Sequence, residues 1–529
     1  MHSLMHRDRI LSILLVILIA VGILLRLIGL SGEYLWDDEQ PNLIAEMKFH
    51  HQSFQDGALY FQEHPPLGKW FLGLPSIVIS ANYAPLRFLG SNMFVYKYIP
   101  YEALAENYGI IRLWNALIGC SALLFVFLIV RSFFGTSSAL WSTLLMALSA
   151  DFILMSRHDN LLKMGTIFFG LGCLYFYLKY IRSPDVHWRA FYLGCTLLFL
   201  MFALGSRNYD PLFLLPTLII SQFVLCRGKK YILENLIVTT SIILTCLLVF
   251  NYYYPAEAQT FAKEHLEVSS PLNLLGFGLL GIFKNMFIRN SYMYSIAAIL
   301  VLFCIFYYIL FFKKRNPIFN HSVHDLIQQR NPVLVLIIFF LITFLGISFS
   351  QSRFGYGLTY NVMLFAATML LGGPIIHHMI EKWHNLRWFF ILLFGINTIQ
   401  FMFYFPYGLW EYSNLGQSYP YYSPTYDHNL VDQQLHDLAA IGNPMLLTDS
   451  VNILLFYPGA HMPLPPVKAD TCSSQYFEQF KSQNVYVLSR LGDLTTSPYV
   501  CSLFKETVIE KIKTYDIPVE GTKPTLYKF

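Results

Sequence analysis

The chain has 529 residues, 55% of them hydrophobic and only 13% charged, with a net charge of +4 and a mean hydropathy of +0.48. A soluble protein of this length carries about a quarter charged residues, and no basic run suits a nucleic acid. Composition therefore excludes a soluble globular enzyme and leaves a polytopic α-helical membrane protein, because apolar runs long enough to cross a ~30 Å hydrocarbon core recur along the chain.

The first run, 10–30, follows His6, Arg7 and Arg9. It is long for a signal-peptide core and no small-residue cleavage site follows it, so it reads as a retained first span with a cytoplasmic N-terminus. Further spans are predicted at 109–131, 137–156, 161–181, 189–206, 210–226, 231–253, 292–312, 332–350, 356–376 and 387–405, about eleven in all. The positive-inside rule tests this threading. Arg131, then Arg182 and Arg189, then Arg227, Lys229 and Lys230, then Lys313, Lys314 and Arg315, then Lys382 and Arg387 all fall in alternate connections, on the side of the N-terminus.

The opposite side receives a long first loop (31–108), short turns at 157–160 and 206–209, a second loop (254–291) and a tail. In the first loop, "HPPLGKWFLGLPSIVI" is too short and proline-rich for a span and reads as a helix lying in the membrane interface. Residues 1–408 form the transmembrane unit. From 409 to 529 the long apolar runs stop, and strand-like "NPMLLTD" and "NVYVLSR" alternate with helix-like "DHNLVDQQLHDLAAI" and "SSQYFEQFKSQ". This predicts a small extracytoplasmic α/β domain. Cys120, Cys173, Cys195, Cys226, Cys246 and Cys304 lie in or beside spans as apolar fillers. Cys472 and Cys501 share the outer tail, where an oxidising compartment would permit a disulfide between them. Tyrosines from Tyr404 to Tyr426 crowd the junction, as an interfacial belt or as stacking surfaces for sugars.

Ionisable residues gather on the outer side. Asp37, Asp38 and Glu39 follow the first span, and Asp159 sits in the turn "SRHDNLL" beside Arg157. Lys69, Arg207 and Arg353 lie at or near other outer helix ends. Each alone also fits a helix cap or a snorkelling cation. Together they place acids and cations at one mouth, and ionisable residues at membrane depth are functional candidates. Carboxylates take a proton from a hydroxyl nucleophile or hold a divalent metal; Arg and Lys bind and neutralise a phosphate leaving group. The residues suggest group transfer from a lipid-borne phosphate, with water or a hydroxyl as the nucleophile. A transporter or flippase would instead carry charges near mid-membrane and two related halves, and a lipid-phosphate hydrolase would use water.

"WDDE" followed by "EHPPLGKW" resembles the first outer loop of the protein O-mannosyltransferases, and "SRHDNLL" resembles the second acidic motif of the wider superfamily that includes the aminoarabinose transferases. The resemblance implies a GT-C-type integral-membrane glycosyltransferase using a polyprenyl-phosphate-linked sugar donor and a hydroxyl acceptor in a lipid, glycan or protein. It implies Asp38 as catalytic base, Glu39 as its partner, and Asp159 as an orienting acid or, with Glu39, a ligand for a divalent cation. His64 would shape the acceptor path. Lys69, Arg207 and Arg353 would face the carrier phosphate, and Arg157 would bind substrate beside them. The 254–291 loop is too short for the β-trefoil of the eukaryotic mannosyltransferases, and Arg207 stands in a Gly-Ser-Arg turn where relatives often have Thr-Lys-Gly. The sole glycosylation sequon, Asn320-His321-Ser322, falls in an inner loop. That favours a bacterial cytoplasmic membrane with the active site and tail facing the periplasm.

Overall fold

The computed structural model describes residues 2–28, 30, 50, 66–78, 101–157, 163–206, 210–226, 228, 231–253, 297, 299–305, 326, 329, 331–354, 362–404, 433–442, 445–448, 460–462, 485–489, 510–515 and 525–528. The chain is a polytopic helical membrane protein. In lipid every backbone amide and carbonyl must be satisfied within its own segment, so apolar runs of this length fold as helices. The bundle begins with α1 (His2–Leu27), and a short α2 (Pro66–Leu72) runs into a 3-10 turn, Leu74–Val78. It continues with α3 (Tyr101–Ala147), α4 (Ala150–Arg157), α5 (Lys163–Arg182) and α6 (Val186–Leu204). Then follow α7 (Leu214–Leu225), α8 (Ile232–Tyr253), α9 (Val333–Phe354), α10 (Val362–Lys382) and α11 (Leu386–Tyr404). Among the described residues, five helices are long and apolar enough to cross a membrane. Within the expected span 292–312, only 297 and 299–305 are described.

The long helix α3 is two spans. Gly135 breaks it with φ 82° and ψ 175°, a conformation open to glycine because it has no Cβ. The limbs fold back on each other: the Asn115 side chain donates to the carbonyls of Met155 (3.1 Å) and Ser156 (3.3 Å). The predicted spans 109–131 and 137–156 are thus a hairpin with Gly135 at its tip. The second span differs from the expectation in one respect. It stops at Ala147 and restarts at Ala150 as α4.

Asp185 caps α6, its carboxylate accepting from the amides of His187 (2.7 Å) and Trp188 (3.2 Å). α5 and α6 pack closely because Gly172 lies against the ring of Phe199. Pro374 interrupts α10 and removes the amide that Leu370 would bond; the Ser142 hydroxyl approaches that carbonyl instead, at 3.5 Å. The basic connections near Arg131 and Arg182 meet at the Gly135 end, where Arg182 donates to the carbonyl of Ser132 (3.1 Å) and lies over Phe133. A polar network closes the same end. Tyr180 and Arg189 both donate to Glu234, the Gln222 amide donates to Asn235 (3.0 Å), and Asn235 donates to the carbonyl of Cys226 (2.9 Å). The six cysteines expected as fillers are free thiols. Cys472 and Cys501 lie outside the described residues.

Beyond the bundle a helix (433–440) accompanies a five-stranded sheet. Its strands are β1 (Met445–Thr448), β2 (Ala460–Met462), β3 (Val485–Ser489), β4 (Glu510–Thr514) and β5 (Thr525–Lys528), in spatial order β2-β1-β3-β5-β4. β1 is parallel to β2 and β3, whereas β5 is antiparallel to β3 and β4. Leu438, Leu446, Tyr486, Leu488, Tyr515 and Leu526 form its own small core. The stretches "NPMLLTD" and "NVYVLSR" are therefore strands, as their alternation predicts.

Candidate functional site at the Leu30 end of the bundle

The HPPLGK motif folds as α2, and α2 is buried. Pro66, Leu67, Gly68, Lys69 and Leu72 are all shielded from solvent. This differs from a helix lying flat in the interface, which would keep one face wet. Glycine is the reason α2 fits. A Cβ on Gly68 would stand 2.6 Å from the Cα of Ser206, and one on Gly205 would stand 2.6 Å from the Cβ of Leu67. The two backbones touch, and the Gly68 amide donates to the carbonyl of Gly205 at 2.8 Å. Phe71 anchors the other side of α2. Its carbonyl accepts from the Trp114 indole (3.1 Å), and its ring packs edge-on against Phe169 and Phe202. His50 holds the carbonyl of Trp70 through Nε2 at 2.8 Å.

Around α2, five cations are withdrawn from solvent: Arg26, Lys69 and Arg112 are each 0% exposed, Arg157 3% and Lys163 7%. Lys and Arg are seldom fully buried in proteins, so five buried cations at one end of the bundle mark that end out. Arg112 donates to the carbonyl of Leu30 at 2.9 Å, tying the start of the hairpin to the end of the first span. Arg157, at the end of α4, donates to the carbonyl of Leu25. Arg26, within α1, donates to Gly22 of its own helix and to Ala147 (2.7 Å) and Met146 (3.3 Å) across the bundle.

Of the residues expected at the site, Lys69 and Arg157 are therefore brought to one end of the bundle, both buried. Arg353 falls in the last turn of α9; its side chain lies outside the described residues. Asp37, Asp38, Glu39, His64, Asp159 and Arg207 lie outside them altogether. Sequence reasoning missed Arg26, Arg112 and Lys163. A signal existed for each: a cation interrupts the apolar runs "GILLRLIGL" and "GIIRLWNAL", and another opens α5 in "LLKMGT". Among the described residues no group of three His, Cys, Asp or Glu side chains stands close enough to hold a metal ion; Glu39 and Asp159 are not among them.

ArnT from Cupriavidus metallidurans bound to undecaprenyl phosphate superimposes with a TM-score of 0.53 at 14% identity, covering 97% of each chain. The chain has the GT-C fold. The apo form of the same ArnT matches at a TM-score of 0.39 over 97% of each chain at 14% identity. An oligosaccharyltransferase from Archaeoglobus fulgidus, in complex with zinc and sulfate, matches at 0.44 and 13% identity over 97% of this chain and 72% of its own. No protein-family model and no curated protein sequence matches. The GT-C likeness extends over both the helical bundle and the residues beyond it. At this identity it speaks to the fold, while the chemistry must be argued from the side chains.

Proposed function

We propose that the chain is a membrane glycosyltransferase that moves a sugar from a polyprenyl-phosphate donor to a hydroxyl acceptor on the extracytoplasmic face, with inversion at the anomeric carbon. The observation that carries this reading is the gathering of Lys69 and Arg157, with Arg112 and Lys163, in buried positions at one end of a GT-C bundle. A phosphate leaving group is the chemistry such a group of cations serves. The solved ArnT of similar fold holds undecaprenyl phosphate, which supports a polyprenyl phosphate as the carrier here.

We assign the acids needed for the nucleophile to the same end. Asp159 follows Arg157 by two residues, and Asp38 follows the buried Leu30 by eight. Two residues extend at most ~7 Å, which keeps Asp159 beside Arg157, whereas eight extend up to ~29 Å, so the assignment of Asp38 to this end rests on the "WDDE" resemblance. Asp38 takes the proton of the acceptor hydroxyl. The oxygen attacks the anomeric carbon from the face opposite the phosphate, and the bond from that carbon to the phosphate oxygen breaks. Lys69, Arg207 and Arg353 neutralise the departing phosphate, Arg157 holds the donor beside them, and Asp159 with Glu39 orients the reacting groups. His64 lines the acceptor path. A divalent cation held by Glu39 and Asp159 would supply further neutralising charge; no step above depends on it. The α/β domain faces the same compartment, as an acceptor-recognition unit or as a cap over the mouth, and Cys472 pairs with Cys501 within it.

The test is sugar transfer by purified protein in lipid nanodiscs, supplied with polyprenyl-phosphate sugars and soluble or lipid hydroxyl acceptors. The expected result is a glycosylated acceptor of inverted anomeric configuration. Release of free sugar alone would make the protein a hydrolase. Movement of the donor between leaflets without bond cleavage would make it a flippase.

A further inference from the structure

The second transmembrane span of the hairpin is cut in two, and the cut is made inside the bundle. Helix α3 ends at Ala147, Leu148 and Ser149 leave the helix, and α4 begins at Ala150. A helix that ends within a membrane leaves carbonyls without amide partners. Here the Met146 carbonyl still accepts from the Ser149 amide at 3.4 Å, while the carbonyl of Ala147 takes a donor from another span. The Arg26 guanidinium, reaching from α1, donates to the carbonyls of Ala147 and Met146 and to that of Gly22. It also lies 4.8 Å from the centre of the Phe152 ring on α4. Gly22 lets the helices meet there, since a Cβ at that position would stand 2.6 Å from the Ala147 oxygen.

The far end of α4 is held by the same first span, through Arg157 on the carbonyl of Leu25, and by Asn115 on the carbonyls of Met155 and Ser156. The eight residues of α4 are thus pinned at both ends, and they deliver Arg157 and, two residues later in the chain, Asp159.

We infer that Arg26 is a positioning residue: by engaging the carbonyls at the Ala147 break it fixes the direction of α4, and so the placement of Arg157. Both terminal nitrogens of Arg26 are engaged by backbone carbonyls, so they are not offered to a phosphate. Its role therefore differs from that of the other buried cations. The inference rests on the glycosyl-transfer reading only for its kinetic consequence.

The experiment uses the full chain in nanodiscs. Arg26→Gln should lower kcat by about 10²-fold, the scale of a 1 Å misplacement of reacting groups, and should raise KM for the polyprenyl-phosphate sugar by no more than Arg157→Gln does, because it acts on the donor through Arg157. Arg26→Lys, which keeps a donor but not the fork, should recover part of kcat. Hydrogen–deuterium exchange of residues 148–157 should rise in Arg26→Gln while that of 163–182 stays unchanged. A KM raised further in Arg26→Gln/Arg157→Gln than in Arg157→Gln alone would make Arg26 a phosphate ligand in its own right and overturn the inference, as would unchanged exchange at 148–157. If the native protein transfers no sugar, the functional reading fails by itself and the exchange measurement alone decides the role of Arg26.

Discussion

Gly68 and Gly205 meet backbone to backbone, with the amide of the first donating to the carbonyl of the second at 2.8 Å. This one contact seats the HPPLGK helix against the end of α6 and brings Lys69 into the buried end of the bundle. It explains why the motif needs glycine after leucine. A side chain there would collide with the main chain at Ser206, which cannot swing aside as a flexible side chain would. Gly68→Val is therefore expected to destabilise the bundle by about 1–3 kcal/mol, the usual penalty of overpacking, and to abolish transfer. Thermal unfolding in detergent and the transfer assay check it together. Native behaviour in both would show that α2 does not sit where the contact places it.

Lys69 is fully buried, so a neutral replacement of similar length isolates its charge. Lys69→Met should fold and lose about 10²–10³ in kcat, the scale seen when one electrostatic donor to a transition state is removed. Lys69→Arg should retain more of the rate. With Asp38 as the proposed general base, Asp38→Asn should lose about 10²–10⁴ in kcat. Equal activity of Lys69→Met and the native enzyme would exclude the lysine from leaving-group stabilisation.

The Glu234 network lies at the opposite end of the bundle and separates stability from activity. Tyr180 and Arg189 both donate to this carboxylate. Glu234 and Arg189 are each about a quarter exposed (26% and 25%), so water screens part of their attraction. Glu234→Ala is expected to lower stability by about 1–3 kcal/mol through the unpaired donors it leaves, with kcat unchanged. A large loss of kcat without a shift in the unfolding midpoint would contradict the assignment of this network to scaffolding.

In the α/β domain, burial and the neighbouring Asp437 carboxylate push the Tyr515 phenol above its usual value of 10.0, while Lys513 pairs with Asp437 at 2.6 Å. A phenol raised in the folded state contributes stability that is intact below about pH 10 and is lost as the pH climbs towards the raised value, because the unfolded chain releases its proton first. Unfolding midpoints of the domain should therefore fall above about pH 10, and Tyr515→Phe should flatten that fall. An equally steep decline in the variant would assign it to another group.

The transmembrane layout was largely legible in the sequence. Apolar run length and basic connections are local properties, and α5, α6 and α8 lie close to their expected bounds. Lys69 and Arg157 were legible because they sit in recognisable outer motifs. The break after Ala147 was not read, because Ser149 and Asp151 in "MALSADFIL" sit inside a longer apolar run and the arginine that reaches the break lies more than a hundred residues away in the chain. The burial of α2 was hidden for a similar reason. Its helix of seven residues is too short to be stable alone, and it forms because Gly205, Trp114 and Phe202 supply a pocket.

The sequence by itself determined that the chain is a membrane-embedded helical bundle followed by an α/β unit, because hydropathy and its period depend on neighbours along the chain. Only the tertiary structure decided which cations leave water and what they touch. A guanidinium is tolerated inside a membrane when carbonyls from other helices reach it, and that condition concerns distance in space, to which spacing along the chain gives no access.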